Sequence, residues 1–426
     1  MILGVAYHRT SSDTTFASCR DPAVRSRRMA ELLDTSPESI ALAGQRLREG
    51  RLCAFPTETV YGLGANALDE VAAKRIFEVK GRPPTDPLIC HVLRLEQAEE
   101  LWAIGQKEMD VAKALSVMWP GPLTVVANAS AKVPEAVTGS SGFVGVRIPN
   151  HPVAQALLQA ASVPVAAPSA NLFGHVSPTC AQHVMGDLAL RDQTLTVIDG
   201  GRCSVGIEST VVKIVSQHRI EVLRRGCVTQ NQVRAALQSA GIDDCEVIVR
   251  DTRSKATAKS HSLPQDGPGQ LLTHYSPNIP AFLVNPSGLP LNVEGSNNSW
   301  VLHVDGGSMS MARPDDENGT MRIAGVKIAV IDFDGILASL EGSAMAYRSL
   351  SATGDGDEAA AAAFDCLRWS ENVDGAEAVI FPLVTEFLAQ GATNKALSEA
   401  QLEVLSAVED RLYRAASGSV GVVVFE

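Results

Sequence analysis

Lys80 and Arg82 are two cations that flank a single glycine, an arrangement that suggests phosphate chemistry. Phosphate chemistry requires positive groups that are already in place, and here lysine supplies a point charge while arginine supplies a forked donor. The pair opens residues 80–91, where a proline-rich loop joins a helix-like stretch to a strand-like one. A lysine and an arginine at a helix end can also do no more than complement its dipole. This segment alone leaves both interpretations open.

A further cation, Arg147, lies in the middle of the apolar segment Val-Gly-Val-Arg-Ile-Pro at residues 144–149. Burying a guanidinium is unfavourable unless an anion meets it, so a carboxylate partner is expected. That carboxylate could belong to the protein or to a ligand, and the sequence does not distinguish the two. By contrast, His91 alternates with buried residues in a strand, which by itself is typical of a core histidine.

Three other segments place small polar side chains directly after strands. Residues 55–64 contain Thr57 and Thr59, residues 167–171 read Ala-Pro-Ser-Ala-Asn, and residues 206–211 read Gly-Ile-Glu-Ser-Thr-Val. Each segment alone is compatible with an ordinary turn. Together with the cations they place donors at the ends of five strands, where α/β sheets collect ligands.

The spacing of apolar residues predicts the elements that must hold these segments. Helices are predicted over residues 37–49, 65–79 and 98–118, and strands over residues 52–55, 88–92, 123–127, 144–148, 163–167, 196–198, 210–214 and 220–223. Strands interleaved with helices predict an α/β layer architecture. Because several connections are too short for a helical crossover, the sheet should be mixed.

A second, smaller α/β unit is predicted beyond residues 251–266, an aperiodic polar stretch that is typical of an exposed linker. Its predicted strands are residues 281–284, 299–304, 327–331, 378–381 and 420–425, and its predicted helices are residues 357–368 and 398–416. Residues 309–320 are polar and contain glycine, which predicts a mobile loop.

Composition narrows the classes of function. The chain has 426 residues, of which 45% are hydrophobic, and this is enough for two domains with sizeable cores. The formal net charge is −12, so the molecule as a whole does not attract phosphate backbones. The eight cysteines lie far apart without a C-x-x-C pair, which predicts buried thiols rather than disulfides or a zinc site.

No apolar run approaches the roughly 20 residues of a membrane span, and the first residues lack the profile of a secretory signal, so no membrane association is expected. The first 28 residues carry five arginines with several serines and threonines, as transit peptides do, although Asp13 and Asp21 argue against that interpretation. A cytoplasmic location is predicted, with a mitochondrial fraction as the alternative.

Six ordered motifs make residues 53–225 resemble the YrdC-type threonylcarbamoyl-AMP synthase family. They are Lys-x-Arg at residues 80–82 and Ser-x-Asn at residues 169–171, together with Pro-Thr-Glu-Thr-Val-Tyr-Gly-Leu, Gly-Pro-Leu-Thr, Val-Arg-Ile-Pro and Glu-Ser-Thr-Val. The longer branch of the family adds a Pro-Gly…His-Tyr-Ser-Pro linker, to which residues 268–277 are similar, and a small Rossmann-like domain.

The resemblance implies an α/β fold with an N-terminal YrdC-like mixed twisted sheet with helices, followed by a smaller C-terminal Rossmann-like α/β domain. The implied parts are an N-terminal extension, disordered or targeting, at residues 1–35, a catalytic domain at 36–250, a linker at 251–280 and the C-terminal domain at 281–426.

The activity that the resemblance implies is that of a nucleotidyltransferase. It would condense L-threonine, bicarbonate or CO₂, and ATP to threonylcarbamoyl-adenylate and pyrophosphate, with Mg²⁺ on the phosphates. A downstream tRNA threonylcarbamoyl transferase would then move the threonylcarbamoyl group to adenosine 37 of tRNA, and a weak contact with tRNA is a further expectation. The carbamate oxygen can attack the α-phosphate itself, so the protein needs no nucleophile of its own.

Site residues follow from the resemblance by motif. The implied L-threonine site consists of Thr59, His91, Arg147, Ala167 and Ser209. The implied ATP site consists of Lys80, Arg82, Asp86, Ser169, Asn171, Ser177, Arg224 and Tyr275, with Lys80 and Arg82 as catalytic residues and no metal ligand assigned.

Two departures from the family pattern affect the implied ATP site. Asp86 stands where many members have asparagine, and a carboxylate there would repel phosphate unless it binds magnesium or points away. Residues 270–273 lack the basic residue that some relatives carry in the linker, which bears on the role of Tyr275.

Two other functions compete with this one. A double-stranded RNA-binding module could use the same fold and a concave cationic surface, but the net acidity argues against it. Residues 328–336 resemble the aspartyl nucleophile segment of haloacid-dehalogenase-type phosphatases, through Asp332 and Asp334. Too few residues follow to complete such an enzyme, so these two aspartates are interpreted as a polar strand end.

Overall fold

The first half of the chain is built around a mixed sheet of eleven strands. A computed structural model describes residues 30–250, 265–268, 274–286, 299–305, 308–315, 319–391 and 397–425. The strands are β1 (Glu31–Leu33), β2 (Cys53–Phe55), β3 (Gly62–Asn66), β4 (Ile89–His91), β5 (Leu123–Asn128), β6 (Phe143–Arg147), β7 (Val165–Ala166), β8 (Thr196–Ile198), β9 (Thr210–Ser216), β10 (Arg219–Arg224) and β11 (Glu246–Val249). Their order is β1-β8-β2-β3-β7-β4-β6-β5-β9-β10-β11, with parallel and antiparallel neighbours in roughly equal use. The predicted mixed sheet is confirmed.

Helices cover this sheet and connect its strands. They are α1 (Pro37–Arg48), α2 (Glu70–Lys80), α3 (Leu95–Leu101), α4 (Gln106–Leu115), α5 (Glu135–Thr138), α6 (Pro152–Ala161), α7 (Ala181–Leu188) and α8 (Gln230–Ser239). Helix α2 is the one that positions the predicted cations. It begins after Asp69, whose carboxylate caps the first turn, and ends at Gly81, which adopts a left-handed φ of 66°. Lys80 is therefore the last helical residue, and Arg82 opens the loop that returns to the sheet.

A second sheet has a parallel centre. Its strands are β12 (Ala281–Val284), β13 (Ser299–Asp305), β14 (Ser308–Asp315), β15 (Gly319–Ala324), β16 (Ile328–Asp332), β17 (Ala346–Ser349), β18 (Ala378–Pro382) and β19 (Val420–Phe425), in the order β15-β14-β13-β19-β12-β18-β16-β17. From β13 to β17 every neighbouring pair is parallel, while β14 and β15 form an antiparallel edge. The accompanying helices are α9 (Gly356–Glu371), α10 (Val384–Ala389) and α11 (Glu399–Ala415). The prediction of a second α/β unit is confirmed.

The predicted mobile loop at residues 309–320 was wrong, because most of this segment belongs to the β14–β15 ribbon. The alternation of buried and accessible side chains along β14 explains the difference. Met309 and Met311 are only 3% exposed and join the core, whereas Ser308 and Ser310 on the other face are more accessible. Alternate polar positions lowered the mean hydropathy of a half-buried strand, and this was taken for loop composition.

Strand β3 was also missed, since its glycines were interpreted as part of a turn. A Cβ at Gly64 would lie 2.8 Å from Val165 Cγ1 and 2.9 Å from Phe55 Cε1. Glycine is needed there because the neighbouring strands pack directly over its backbone. The close approach brings β2, β3 and β7 together, and with them the segments that carry Thr59 and Ala167.

Two predicted boundaries change. The predicted helix over residues 98–118 is interrupted by extended backbone at Trp102, which separates α3 from α4. Strand β1 pairs with β8, so the predicted domain start at residue 36 leaves out one strand of the first sheet. The remaining domain limits stay predictions. Residues 1–29, 251–264 and 269–273, which include the transit-peptide prediction and most of the predicted linker, lie outside the described residues.

Helices α9 and α11 of the second unit pack against the first, so the two halves share a hydrophobic cluster. Val60, Val176 and Ile207 from the first half join Phe364 and Leu412 from the second in this cluster. Buried ion pairs cross the same interface, as described below for the residues at the site. Among the described helices, the longest and most apolar stretches fall short of what is needed to cross a membrane.

Candidate active site

Lys80 joins two segments that are far apart in the sequence. Its Nζ donates hydrogen bonds to the carbonyl oxygens of Ser169, at 2.6 Å, and Asn171, at 2.5 Å. The side chain is buried, and no carboxylate of the described residues lies within ion-pair distance of it. Burial and the neighbouring Arg82 hold the pKa of Lys80 well below its usual range. An anion that binds beside the Lys80 amine would stabilise its protonated, charged form.

Arg82 and Asp86 form a buried ion pair. Arg82 Nη2 lies 3.0 Å from Asp86 Oδ1 and also donates to the Pro87 carbonyl at 2.9 Å, while Nε donates to the Asp86 carbonyl at 3.0 Å. Burial lowers the pKa of Arg82, and the Asp86 carboxylate opposes that effect. The carboxylate at position 86 is therefore aimed at the arginine of the same loop and acts as its counter-ion.

The Ser-x-Asn segment presents one buried acceptor that is not used. Asn171 Nδ2 donates to the carbonyls of Leu172 and His175, both at 2.7 Å, which fixes the orientation of the amide. Its Oδ1 is buried and has no hydrogen-bond partner within the described part of the chain. A buried polar atom of this kind is costly unless a ligand or water completes it.

Arg224 and Ser209 contact each other in the buried interior. Arg224 donates to the Ser209 carbonyl at 3.1 Å and to its Oγ at 3.2 Å, and Ser209 Oγ also lies 2.8 Å from Thr124 Oγ1. Burial lowers the pKa of Arg224. As with Lys80, none of the carboxylates that the structure describes forms an ion pair with this guanidinium.

The carboxylate partner of Arg147 is Glu58 of the protein. Arg147 Nη2 lies 2.6 Å from Glu58 Oε1, Nη1 donates to Thr59 Oγ1 at 2.8 Å, and Nε donates to the Gly121 carbonyl at 3.1 Å. The exposed fractions of Arg147 and Glu58 are 4% and 5%. The sequence left open whether the protein or a ligand supplies this anion, and the structure places the Glu58 carboxylate of the protein there.

His91 and Ala167 complete this side of the site. His91 is the registered partner of Arg147 across β4 and β6, and the Ala167 amide donates to the Ile89 carbonyl of β4 at 2.8 Å. Burial and the charge of Arg147 lower the pKa of His91 to about 3, so the ring is neutral. Its environment is a buried one, edge-on to Phe55 with 6.1 Å between ring centroids.

The linker residues His274 and Tyr275 lie inside the cluster of cations. Tyr275 adopts a left-handed φ of 63°, is 1% exposed, and packs against Phe364 of α9 with 5.1 Å between ring centroids. Burial and the nearby Glu208 raise the pKa of Tyr275 to about 12. Burial, followed by Arg82 and Lys80, holds the pKa of His274 well below its usual range. Tyr275 lies close enough to Arg82 and Arg224 for their charges to interact. Its role in a nucleotide site stays a prediction.

Ser177 reaches the second half of the chain through one carboxylate. Its Oγ donates to Glu208 Oε1 at 2.6 Å, and Glu208 Oε2 accepts from Arg411 Nε of α11 at 3.2 Å. The sequence analysis did not single out Glu58, Glu208, His274 or Arg411. Three of these lie inside motifs that were quoted, so position within a motif was the signal, whereas nothing in the sequence around Arg411 indicated a role.

The predicted residues thus converge on one buried region with two parts. The first part contains Lys80, Arg82, Ser169, Asn171, Ser177, Arg224 and Tyr275, and the second contains Thr59, His91, Arg147, Ala167 and Ser209. Lys80, Arg82 and Arg224 all lie close enough to His274 for their charges to act on it. Arg224 contacts Ser209 and so connects the two parts. Within the described residues there is no group of three histidine, cysteine, aspartate or glutamate side chains placed to hold a metal ion.

The phosphatase-like segment is a capped strand end. Asp332 accepts hydrogen bonds from the amides of Gly335 and Leu337, at 2.8 and 2.7 Å, and from the Tyr347 hydroxyl at 2.5 Å. A carboxylate whose oxygens are all engaged in this way is not poised to attack phosphorus. The interpretation of Asp332 as a polar strand end agrees with these contacts.

Comparison with known proteins gives the family. Residues 45–226 match the Sua5/YciO/YrdC family, described as telomere recombination, and residues 228–417 match the threonylcarbamoyl-AMP synthase C-terminal domain. The threonylcarbamoyl-AMP synthase of Pyrococcus abyssi is 41% identical over 246 residues, covering 58% of this chain and 67% of the relative. That of Bacillus subtilis is 39% identical over 257 residues, covering 60% of this chain and 69% of the relative.

The solved structures agree with the sequence relatives. The crystal structure of P. abyssi Sua5 complexed with L-threonine has a TM-score of 0.68 and 29% identity, and covers 92% of this chain and 99% of that chain. Both halves of the fold are therefore shared with that protein. With both of its halves matched and its ordered motifs gathered into one buried site, the chain belongs to the two-domain threonylcarbamoyl-AMP synthase family and is an enzyme of the nucleotidyltransferase type.

Proposed function

We propose that this protein condenses L-threonine, bicarbonate or CO₂, and ATP to L-threonylcarbamoyladenylate and pyrophosphate, as the first step of threonylcarbamoyl modification of tRNA. The observation that carries the proposal is a pair of buried cations, Lys80 and Arg224, without a carboxylate partner among the described residues. Uncompensated buried charge is expensive, so such groups are expected to meet an anionic ligand. A nucleoside triphosphate supplies that anion.

The second part of the site suits an amino acid. The crystallised P. abyssi protein is a complex with L-threonine, and the chain described here shares its fold. Arg147 would donate hydrogen bonds to the threonine carboxylate, with Thr59 beside it to orient the guanidinium. The neutral ring of His91 and the methyl group of Ala167 would form a wall against which the rest of threonine packs.

Chemistry at such a site needs positioning and charge rather than a protein nucleophile. Threonine's amine attacks CO₂ to give a carbamate, with loss of the amine proton to solvent. A carbamate oxygen then attacks the α-phosphorus, the bond from that phosphorus to the bridging oxygen breaks, and pyrophosphate leaves. Lys80 and Arg82 would balance the charge that moves onto the leaving oxygens, in a buried site where such interactions are strong.

Magnesium fits this site as an ion carried by the nucleotide. Mg²⁺ keeps several waters and is usually bound through one or two carboxylates plus substrate phosphates. Asp86, the carboxylate that the motif places nearest the phosphates, is already engaged by Arg82, so the phosphates themselves would hold most of the ion. When bound, the ion supplies charge neutralisation on the phosphates.

The product and location stay part of the proposal. A threonylcarbamoyl-adenylate is a reactive mixed anhydride, so a downstream tRNA threonylcarbamoyl transferase is the class of partner that would consume it. A net charge of −12 argues that any tRNA contact of this chain is weak. A cytoplasmic location is proposed, in keeping with a supply of ATP and tRNA.

Threonine-dependent release of pyrophosphate from ATP tests the proposal, with bicarbonate and magnesium present. We expect turnover in the wild type, near-complete loss in Lys80→Ala, and normal turnover in Lys74→Ala. Lys74 is the matched control because it lies in the same helix but is exposed and pairs with Glu70 on the surface. Pyrophosphate release that does not depend on threonine, or a Lys80→Ala variant with wild-type turnover, would overturn the assignment.

A further inference from the structure

Arg411 places a charge of the C-terminal unit inside the candidate site. It lies on α11, is 0% exposed, and donates from Nε to Glu208 at 3.2 Å. Its guanidinium carbon lies 5.9 Å from the centroid of the Tyr275 ring. Glu208 is also the acceptor for Ser177, so Arg411 is connected through a single carboxylate to a residue of the implied ATP site.

The hydrogen bonds of Arg411 do not use the whole guanidinium. Nη1 reaches the Ala407 carbonyl at 3.4 Å and Asp410 at 3.7 Å, both long contacts. Nη2 is buried and has no hydrogen-bond partner in the described part of the chain. An arginine that only joined two domains would be expected to direct its two outer nitrogens at the partner domain, because forked donation is what distinguishes it from lysine. In Arg411 the outer nitrogens make only long contacts or, for Nη2, none among the described residues.

Other buried groups of the candidate site also lack a hydrogen-bond partner. Tyr275 Oη, His274 Nδ1 and Asn171 Oδ1 are likewise buried without a hydrogen-bond partner among the described residues. Arg224 is close enough to Arg411 for their charges to interact. It donates to Ser209 and forms no ion pair with the carboxylates that the structure describes. Burying guanidinium groups side by side is unfavourable, and an anion between them removes that penalty.

We propose that Arg411 is a phosphate-binding residue of the nucleotide site, so that the C-terminal domain completes the site rather than merely flanking it. This inference rests on the proposed function, because it takes ATP as the ligand. Glu208 holds the guanidinium through Nε, and the outer nitrogens bind a phosphate oxygen of the nucleotide. The domain interface and nucleotide binding are thereby coupled, since α11 carries the arginine and also packs on the first domain.

The test compares apparent KM values for ATP and for threonine in Arg411→Lys and in the double variant Arg411→Met/Glu208→Gln. The double variant neutralises both partners of the buried pair, which is better tolerated than leaving one charge alone. We expect the KM for ATP to rise about tenfold or more in both, which is the loss of one charge-assisted contact. The KM for threonine and the melting temperature should change little.

Arg368→Ala supplies the matched control for a loosened interface. Arg368 is a buried arginine of α9 that pairs with Asp187 at 2.9 Å across the same domain boundary and also binds the Val176 carbonyl. If Arg411 only docks the domains, Arg368→Ala will raise the KM for ATP to a similar extent, and the inference is overturned. It is equally overturned if the double variant keeps the wild-type KM for ATP.

Direct titration of ATP by calorimetry, without threonine, separates this inference from the proposed function. If the wild type binds ATP and the Arg411 variants bind it at least about tenfold more weakly, the inference stands even where threonine-dependent turnover is not seen. If turnover is seen and ATP affinity is unchanged in the variants, the proposed function stands and the inference fails.

Discussion

Removal of Arg147 gives the sharpest separation between a structural and a substrate-binding role. The guanidinium holds three partners at once: Glu58 at 2.6 Å, Thr59 at 2.8 Å and the Gly121 carbonyl at 3.1 Å. Arg147→Ala leaves the buried Glu58 carboxylate without its counter-ion. Breaking a buried pair on one side costs about 3–5 kcal/mol. For a domain of this size that corresponds to a fall of roughly 6–20 °C in melting temperature.

The double variant Arg147→Met/Glu58→Gln removes that penalty. Without either charge, the site holds two side chains of similar volume and only a weakly polar contact, so the free energy of unfolding should return to within about 1–2 kcal/mol of the wild type. Turnover should not return. Losing a buried charged partner of the substrate carboxylate costs about 2–5 kcal/mol, which lowers kcat/KM by about 30- to 4,000-fold.

Thermal unfolding and threonine-dependent pyrophosphate release would be measured on both variants, with threonine varied to saturation. In Glu58→Gln alone, Arg147 keeps Thr59 and Gly121 as partners, so turnover should persist. A double variant that regains both stability and turnover would show that Arg147 matters only for the fold. In that event the proposed threonine carboxylate site would have to be moved.

Three further perturbations follow from the same contacts. Asp86→Asn should retain turnover, with a KM for ATP equal to or below that of the wild type. The amide oxygen can still accept a hydrogen bond from Arg82, while the negative charge disappears. Loss of turnover would show that the Asp86 carboxylate contributes to binding. Removing Mg²⁺ with EDTA should abolish turnover, and added magnesium should restore it, without a change in the melting temperature of the ligand-free protein; a large drop in melting temperature would instead indicate a protein-bound ion. The third concerns His175, where burial opposes protonation but the hydrogen bonds to Asp187 and Glu371 outweigh it and raise the pKa to about 9. A raised folded-state pKa stabilises fully below the unfolded value near 6.5, and the contribution is lost as pH rises through about 9, with a magnitude of roughly 2 kcal/mol after solvent screening. Unfolding measured at pH 7 and pH 10 should show this loss in the wild type and not in His175→Gln, and an equal loss in both proteins would contradict it.

The composition of the site could be predicted from the sequence because its residues lie in short segments at strand ends. Lys80 and Asn171 are far apart along the chain, yet each sits where a strand or helix stops beside the same sheet, and the structure joins them at 2.5 Å. Strand-end positions are set by the local pattern of apolar residues, and this pattern was readable for most strands. The order of strands in the mixed sheet then determines which of these strand ends lie close together.

Partners across the fold could not be predicted in the same way. Whether Arg147 meets Glu58 or a ligand depends on a loop conformation after β2 that no periodicity encodes. Arg411 occupies one position of an amphipathic helix, and its direction toward Glu208 follows from how α11 docks on the first domain. Strand β14 was missed for a related reason, since its serines made the mean composition polar while its two methionines still filled the core.

Three buried thiols of the chain are unreactive, which fits a site that acts through charge and positioning rather than through a protein nucleophile. Burial raises the pKa of Cys53, Cys90 and Cys203 to about 12, so these groups are protonated and unreactive at neutral pH. The hydroxyl of Ser209 is held between Thr124 and Arg224, and neither of these partners is a base that could remove its proton. These contacts agree with the proposed mechanism, in which the nucleophile is a carbamate oxygen of the substrate. Conversely, any stable covalent adduct between ATP or threonine and this chain, detected by mass spectrometry of the intact protein, would contradict direct attack by the carbamate.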